Sequence, residues 1–179
     1  MNEIEKTMKT EILYEGKILT LRVDTVELPD MKYSKREIIE HSPSVVIIPM
    51  IDDENVFVIK QYRKAVDKVL YEFPAGLLES GEDPKEAALR ELQEEIKYTA
   101  DKIEFLFDMY SSPGFTNEKV SVFLARDLKP KALKEDDDEY IECEKISIKD
   151  LIQKLDSLEL IDSKIIAGTL YLKNLMLNE

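Results

Sequence analysis

The sequence predicts a mixed α/β domain of the α+β type, in which a largely antiparallel or mixed sheet is accompanied by a few helices that do not alternate strictly with its strands. Three observations carry this. Short apolar, strand-like segments fill most of the first two-thirds of the chain. One strongly signalled helix begins at Asp83-Pro84, and two more helical patterns are confined to the C-terminal tail. At 179 residues the chain has the length of one domain. A chain of this size buries roughly two-thirds of its unfolded surface without help from a disulfide or structural metal.

Taken in order, "KILTLRVDTVEL" and "YSKREIIEH" read as strands flanking a turn at Pro29-Asp30. "SVVIIPMI" (44–51) is an apolar run of buried-strand length. The turn residues Asp52-Asp53-Glu54-Asn55 lead into "VFVIKQYR" (56–63), so 44–63 is expected to form a hairpin. "VLYEFPAG" (69–76) is another extended segment. Asp83 then caps a helix, Pro84 suits its first position and Glu86 completes a capping-box pattern. "KIEFLFDMYSSPGF" and "KVSVFLARDL" predict two strands around a Ser-Ser-Pro-Gly turn. "EYIECEKISI" predicts one more, and "IKDLIQKLDSL" and "SKIIAGTLYLKNLML" predict the closing helices.

Hydrophobic residues make up 44% and charged residues 35%, a globular balance. The lone Cys143 excludes an internal disulfide and a cysteine-rich zinc site, and reads as a small strand residue. The N-terminal stretch lacks the basic and apolar regions of a signal peptide, and no apolar run approaches a membrane span. The expectation is a cytoplasmic protein with no membrane partner. A net charge of −13 argues against binding nucleic acid, which calls for a basic stripe. An acidic protein that handles a small anionic substrate needs divalent cations between the two.

The helix after Asp83 carries the strongest chemical signal. At 100° per residue Ala88, Leu89, Leu92 and Ile96 share one flank, the predicted buried stripe. Glu91, Glu94 and Glu95 lie beside that stripe instead of spreading over the outer face. Glu91 and Glu95 are a like-charged pair one turn apart, destabilising by roughly 0.2–0.5 kcal/mol on an exposed helix. Hard oxygen ligands at that spacing are what magnesium or manganese requires.

Gly76, five residues, Glu82, seven residues, then Arg90-Glu91-Leu92-Gln93-Glu94-Glu95 resembles the signature of the Nudix hydrolases. The resemblance implies a mixed-sheet sandwich between helices, a divalent-metal requirement, and cleavage of a nucleoside diphosphate linked to another group. The match departs after the second glutamate pair, where the usual glycine is replaced by Lys97. If that position needs positive φ, lysine costs about 1 kcal/mol; otherwise the helix runs on. "QYR" (61–63), "YEFPAG" (71–76), "AALREL" (87–92), "SSPGF" (111–115) and "DDDEYIE" (136–142) fall in the order seen in the ADP-ribose pyrophosphatase branch of the family.

Carried over by position, the resemblance makes Glu91 and Glu95 the principal metal ligands, with Glu94 beside them and the Ala75 carbonyl as a further ligand. Gly76, Glu82 and Arg90 become orienting residues, Arg90 through ion pairs with neighbouring glutamates. Arg63, Arg36, Gly114, Phe115 and Glu118 become substrate contacts. As plain structure, Glu82 would decorate a loop, Arg63 a strand surface, and Pro113-Gly114 an ordinary turn. The single His41 has no partner pattern for nucleophilic catalysis and reads as structural. Within the acidic run 135–139 the branch places a carboxylate that orients or deprotonates the attacking water. Glu139 is the first candidate and Asp137 its rival, with Glu94 the remaining catalytic carboxylate.

The implied reaction is hydrolysis of ADP-ribose to AMP and ribose 5-phosphate with two or three magnesium ions, manganese being the alternative. With no tryptophan in the chain, Tyr14, Tyr33 or a phenylalanine would have to stack on adenine. By the same analogy residues 1–40 form an N-terminal strand region at a homodimer interface, and 41–179 form the single catalytic domain. The rival expectations are a broader nucleoside-diphosphate-sugar or dinucleotide pyrophosphatase and a non-catalytic nucleotide-binding module.

Overall fold

In the computed structural model residues 4–133 and 140–177 are described. They fall into two units: Met1–Pro43 with Met109–Val120, and Ser44–Asp108 with Ser121–Glu179.

The first unit holds an antiparallel sheet in the order β1 (Lys6–Glu15), β2 (Leu19–Glu27) and β3 (Tyr33–His41). β2, between the other two, carries its buried residues Val23, Asp24 and Val26. Asp24 accepts from Thr10 Oγ1 at 2.8 Å, so the acid is not left bare. The segment from Ser111 to Glu118 is tied to β3: Ile39 N donates to Phe115 O at 2.7 Å and His41 N to Asn117 Oδ1 at 2.8 Å. The expected Ser-Ser-Pro-Gly turn is present, Phe115 N donating to Ser112 O at 3.1 Å, and it sits in a longer loop pinned to a neighbouring strand. The His41 backbone N–H is one of its fastenings.

The second unit has two sheets. One runs β10 (Ile141–Ser147), β5 (Asn55–Arg63), β6 (Lys68–Glu72); the other runs β7 (Ala75–Leu77), β4 (Ser44–Pro49), β9 (Lys119–Pro130), β8 (Tyr98–Tyr110). The predicted 44–63 hairpin is not a paired one. β4 and β5 belong to different sheets and meet only through the turn, with a bridge at Met50 and Val56. Each strand already has both edges occupied, β4 by β7 and β9, β5 by β6 and β10. Likewise "VLYEFPAG" is split at Phe73-Pro74, so that β6 stays in one sheet and β7 joins the other. Proline has no N–H for a ladder, which suits it to this corner.

The helices are α1 (Pro84–Glu95), α2 (Ile148–Asp156) and α3 (Ser163–Leu177). Ala87, Ala88, Leu92 and Ile96 of the first helical segment join Val45, Ile47, Ile59, Phe123 and Ala125 in one buried cluster. This fixes the face that α1 turns to the sheets. The buried stripe predicted from periodicity holds, except that Ala87 is buried and Leu89 only half-buried. α3 approaches the β6–β7 corner closely: a Cβ on Gly168 would stand 2.6 Å from the Phe73 ring. The corner that precedes Ala75 and Gly76 is thus clamped from behind.

Candidate metal centre on the acidic helix

α1 starts where the sequence indicates. The Asp83 carboxylate accepts from Lys85 N at 2.9 Å, and Pro84 takes the first helical position. The helix ends at Ile96, whose N–H bonds Leu92 O at 3.2 Å, and Lys97 turns the chain away with φ of 65°. The glycine position of the family motif therefore does require the left-handed region, and lysine occupies it at a cost. Compensation is visible: Lys97 Nζ donates to Glu94 O at 2.6 Å and to Leu133 O at 3.3 Å. A cation at the C-terminal carbonyls also complements the helix dipole.

The acids of α1 are more buried than a solvated face would be. Glu91 is 8% exposed and Glu95 7%. Glu91 has room only because residue 76 is glycine: a Cβ there would overlap the Glu91 carboxylate outright. Gly76 cannot easily retreat, being paired with Val45 in the β4–β7 ladder. Next to it Ala75 N donates to Glu95 Oε2 at 3.0 Å. The turn "PAG" thus cradles both carboxylates, one against its missing side chain and the other on its backbone N–H.

Arg90 organises the remaining charge. Its Nε and Nη2 bond the two Glu82 oxygens at 2.9 and 3.0 Å, and Nη1 bonds Glu91 at 2.6 Å and Glu94 at 2.9 Å. Nη2 also reaches Leu77 O at 3.0 Å, so all five guanidinium donors are engaged. Glu82 in turn accepts from Glu79 N at 2.9 Å. The bond from Arg90 holds the Glu82 carboxyl below its usual pKa, and the Glu82 bond leads the causes that raise that of Arg90. Glu82 is therefore built into the network rather than decorating a loop.

These residues fit a hard divalent cation. Two buried carboxylates one turn apart, held at a cradle that a Cβ would fill, supply hard oxygen donors. Among the described residues no group of three or more His, Cys, Asp or Glu side chains stands ready to hold a metal. Magnesium does not need such a cage, since it is commonly bound through one or two carboxylates with water and substrate phosphates completing the shell. Glu94 is turned to Arg90 together with Glu91. The small cleft bounded by Met50, Asp53, Arg126, Ile148 and Leu172 contains none of these groups.

Arg63, at the end of β5, lies in a bidentate ion pair with Glu72 of β6, with Nε–Oε1 at 2.7 Å and Nη2–Oε2 at 2.8 Å. In the first unit Arg36 bonds Glu5 through Nε at 2.9 Å and Ser34 Oγ at 2.9 Å. In the same unit Phe115 is exposed, Gly114 has open space around it, and Glu118 Oε1 stands 3.9 Å from His41 Nδ1. Glu139 and Asp137 lie outside the described residues. Sequence reasoning gave no part to Glu72, although "YEF" sets an acid between two aromatic residues. It also missed the use of the Lys97 side chain, since only the helix end in space reveals that contact. Cys143 sits on β10 opposite Ile59. Burial first, and then the charge of Glu95, push its thiol up to about 11.

A mixed α/β domain whose capped helix holds two buried carboxylates against a Pro-Ala-Gly corner presents hard oxygen donors suited to a divalent cation. The Nudix domain profile matches residues 40–168, and that of the nucleoside diphosphate sugar hydrolase N-terminal domain matches residues 5–39. The chain is 40% identical to the ADP-ribose pyrophosphatase of Bacillus subtilis over 171 residues, 94% of this chain and 92% of that protein. It is 38% identical to the methanol dehydrogenase activator of Bacillus methanolicus over the same shares. A crystal structure of an ADP compounds hydrolase superposes with a TM-score of 0.84 at 24% identity, covering 98% of this chain and 95% of the other, and shows the same fold. The chain belongs to the Nudix hydrolase family, and it is an enzyme of that family.

Proposed function

We propose that this chain hydrolyses the diphosphate bond of ADP-ribose to AMP and ribose 5-phosphate. The observation that carries the reading is the Glu91–Glu95 pair cradled by Ala75 and Gly76. The likeness to an ADP-ribose pyrophosphatase over 94% of the chain directs it to this substrate. Two or three magnesium ions, or manganese in their place, would be held by Glu91 and Glu95 with the Ala75 carbonyl and Glu94. When bound, such ions neutralise diphosphate charge and make water a competent nucleophile at neutral pH. The chain's own contribution is positional. Arg90 aligns Glu91 and Glu94, the Ala75 N–H aligns Glu95, and Arg63 takes the diphosphate oxygens. Arg36, Gly114, Phe115 and Glu118 contact the remainder of the substrate. Glu139, with Asp137 as rival, accepts the proton of the attacking water. Residues 1–40 form the interface of a homodimer, and the lone unpaired cysteine suits the reducing cytoplasm.

The match to the nucleoside diphosphate sugar hydrolase N-terminal domain favours one second reading, a broader pyrophosphatase acting on several nucleoside diphosphate sugars. A panel of ADP-ribose, other nucleoside diphosphate sugars and dinucleotides, assayed with magnesium by phosphatase-coupled phosphate release, decides between them. ADP-ribose should be turned over fastest and a chelator should stop turnover. Glu95→Gln should lower kcat by at least about 100-fold, the equivalent of roughly 3 kcal/mol of lost metal-assisted stabilisation. No turnover across the panel would end the enzymatic reading; preference for another sugar would end only the substrate assignment.

A further inference from the structure

We propose that Glu72 is the positioning residue for Arg63, fixing the guanidinium in the plane in which it receives the substrate's diphosphate. The inference rests on the reading of Arg63 given above.

Glu72 is 1% exposed, whereas the Arg63 side chain is 39% exposed. A carboxylate so deeply buried is costly unless fully paired. Glu72 has accordingly a single-geometry partner in the two-pronged bond to Nε and Nη2. Two parallel bonds onto a rigid fork define the plane of the guanidinium as well as its position. The burial is asymmetric, so Glu72 is the fixed member and Arg63 the member it presents at the surface.

The register shows that this pairing is not the local default. Glu72 stands opposite Ile59, Leu70 opposite Gln61, and Lys68 opposite Arg63. Arg63 and Glu72 thus reach toward each other across the Gln61 rung. Gln61 shares their face of the sheet, since side chains two apart on a strand point the same way. Its Oε1 is buried and accepts no hydrogen bond. The guanidinium bonds Glu72 through its Nε and Nη2 edge and leaves the Gln61 amide oxygen without a partner, so the carboxylate fixes the plane of that edge. Glu72 also opens the Phe73-Pro74 corner leading to Ala75 and Gly76. One short segment therefore places both the phosphate-binding arginine and the cradle of the metal-binding carboxylates.

The test is a double-mutant cycle with the full chain and saturating magnesium. Glu72→Gln keeps the shape but removes the charge and one of the two acceptors. It should raise KM for ADP-ribose about tenfold while kcat changes less than about twofold, as expected when one charge-assisted bond no longer orients a binding group. Arg63→Ala should raise KM by at least as much. In the Arg63→Ala background Glu72→Gln should have no further effect on KM, the signature of one residue acting through the other. Independent, multiplying effects on KM would overturn the proposal. So would a Glu72→Gln enzyme whose KM is unchanged while its thermal midpoint falls, since that describes a merely structural carboxylate. An unchanged KM in Arg63→Ala alone would instead strike at the assignment of Arg63 itself.

Discussion

At the residue scale, Gly76 and Lys97 show how single positions set the site. Gly76 is glycine because the Glu91 carboxylate occupies the place of its side chain. Gly76→Ala should displace Glu91, destabilise the fold by about 1–3 kcal/mol as overpacking does, and weaken magnesium binding measured by calorimetry. Metal affinity equal to that of the parent chain would contradict the cradle. Lys97 adopts a left-handed backbone and offsets it with two side-chain bonds to carbonyls. Lys97→Ala keeps the strain and loses the bonds, for an expected loss of about 1 kcal/mol in urea denaturation. Lys97→Gly relieves the strain while losing the same bonds and should stay near the parent value. The order glycine above alanine is the check. The sequence showed that a glycine was missing there, and it left open whether the helix continued. The answer is the left-handed backbone at Lys97, whose side chain is braced on Glu94 O and on Leu133 O thirty-six residues away.

At the scale of the element, α1 concentrates acid on a buried flank and relies on one arginine to hold it together. Arg90 satisfies Glu82, Glu91 and Glu94 at once, with its own side chain only 23% exposed. Replacing it by methionine should cost about 3 kcal/mol, near the lower end for removing one partner of a buried ion pair. Saturating magnesium should recover part of that loss, because a cation at Glu91 and Glu95 relieves the same repulsion. Urea denaturation with and without magnesium measures both; a loss unaffected by magnesium would mean that the metal does not share this charge. Capping, periodicity and the spacing of the acids made the start of α1 and most of its buried flank legible in advance, though not its end. The pairing of β4 and β5 was not legible, because a turn between two apolar runs does not say which sheet each run enters. Nor was β1, whose residues are almost all exposed and carry no clear alternation.

At the scale of the whole molecule, the N-terminal sheet leaves Ile12, Leu13, Tyr14 and Tyr33 exposed, and its β2–β3 turn leaves Met31 exposed. Exposed apolar side chains on this sheet and its turn suit the homodimer interface proposed above. Light scattering should give twice the chain mass at micromolar concentration, and removal of residues 1–40 should abolish the association; a monomeric full-length chain would refute it. By itself the sequence determined the class of fold, the acidic flank of the first helix and the family, because each depends on local order: hydrophobic period, capping residues and fixed spacings of acid and glycine. Only the tertiary structure decided that Glu91 fills the space of a missing side chain, that Glu72 holds Arg63, and that Lys97 closes the helix on a distant carbonyl. Those contacts join residues far apart along the chain, and their geometry exists only once the sheets have chosen their partners.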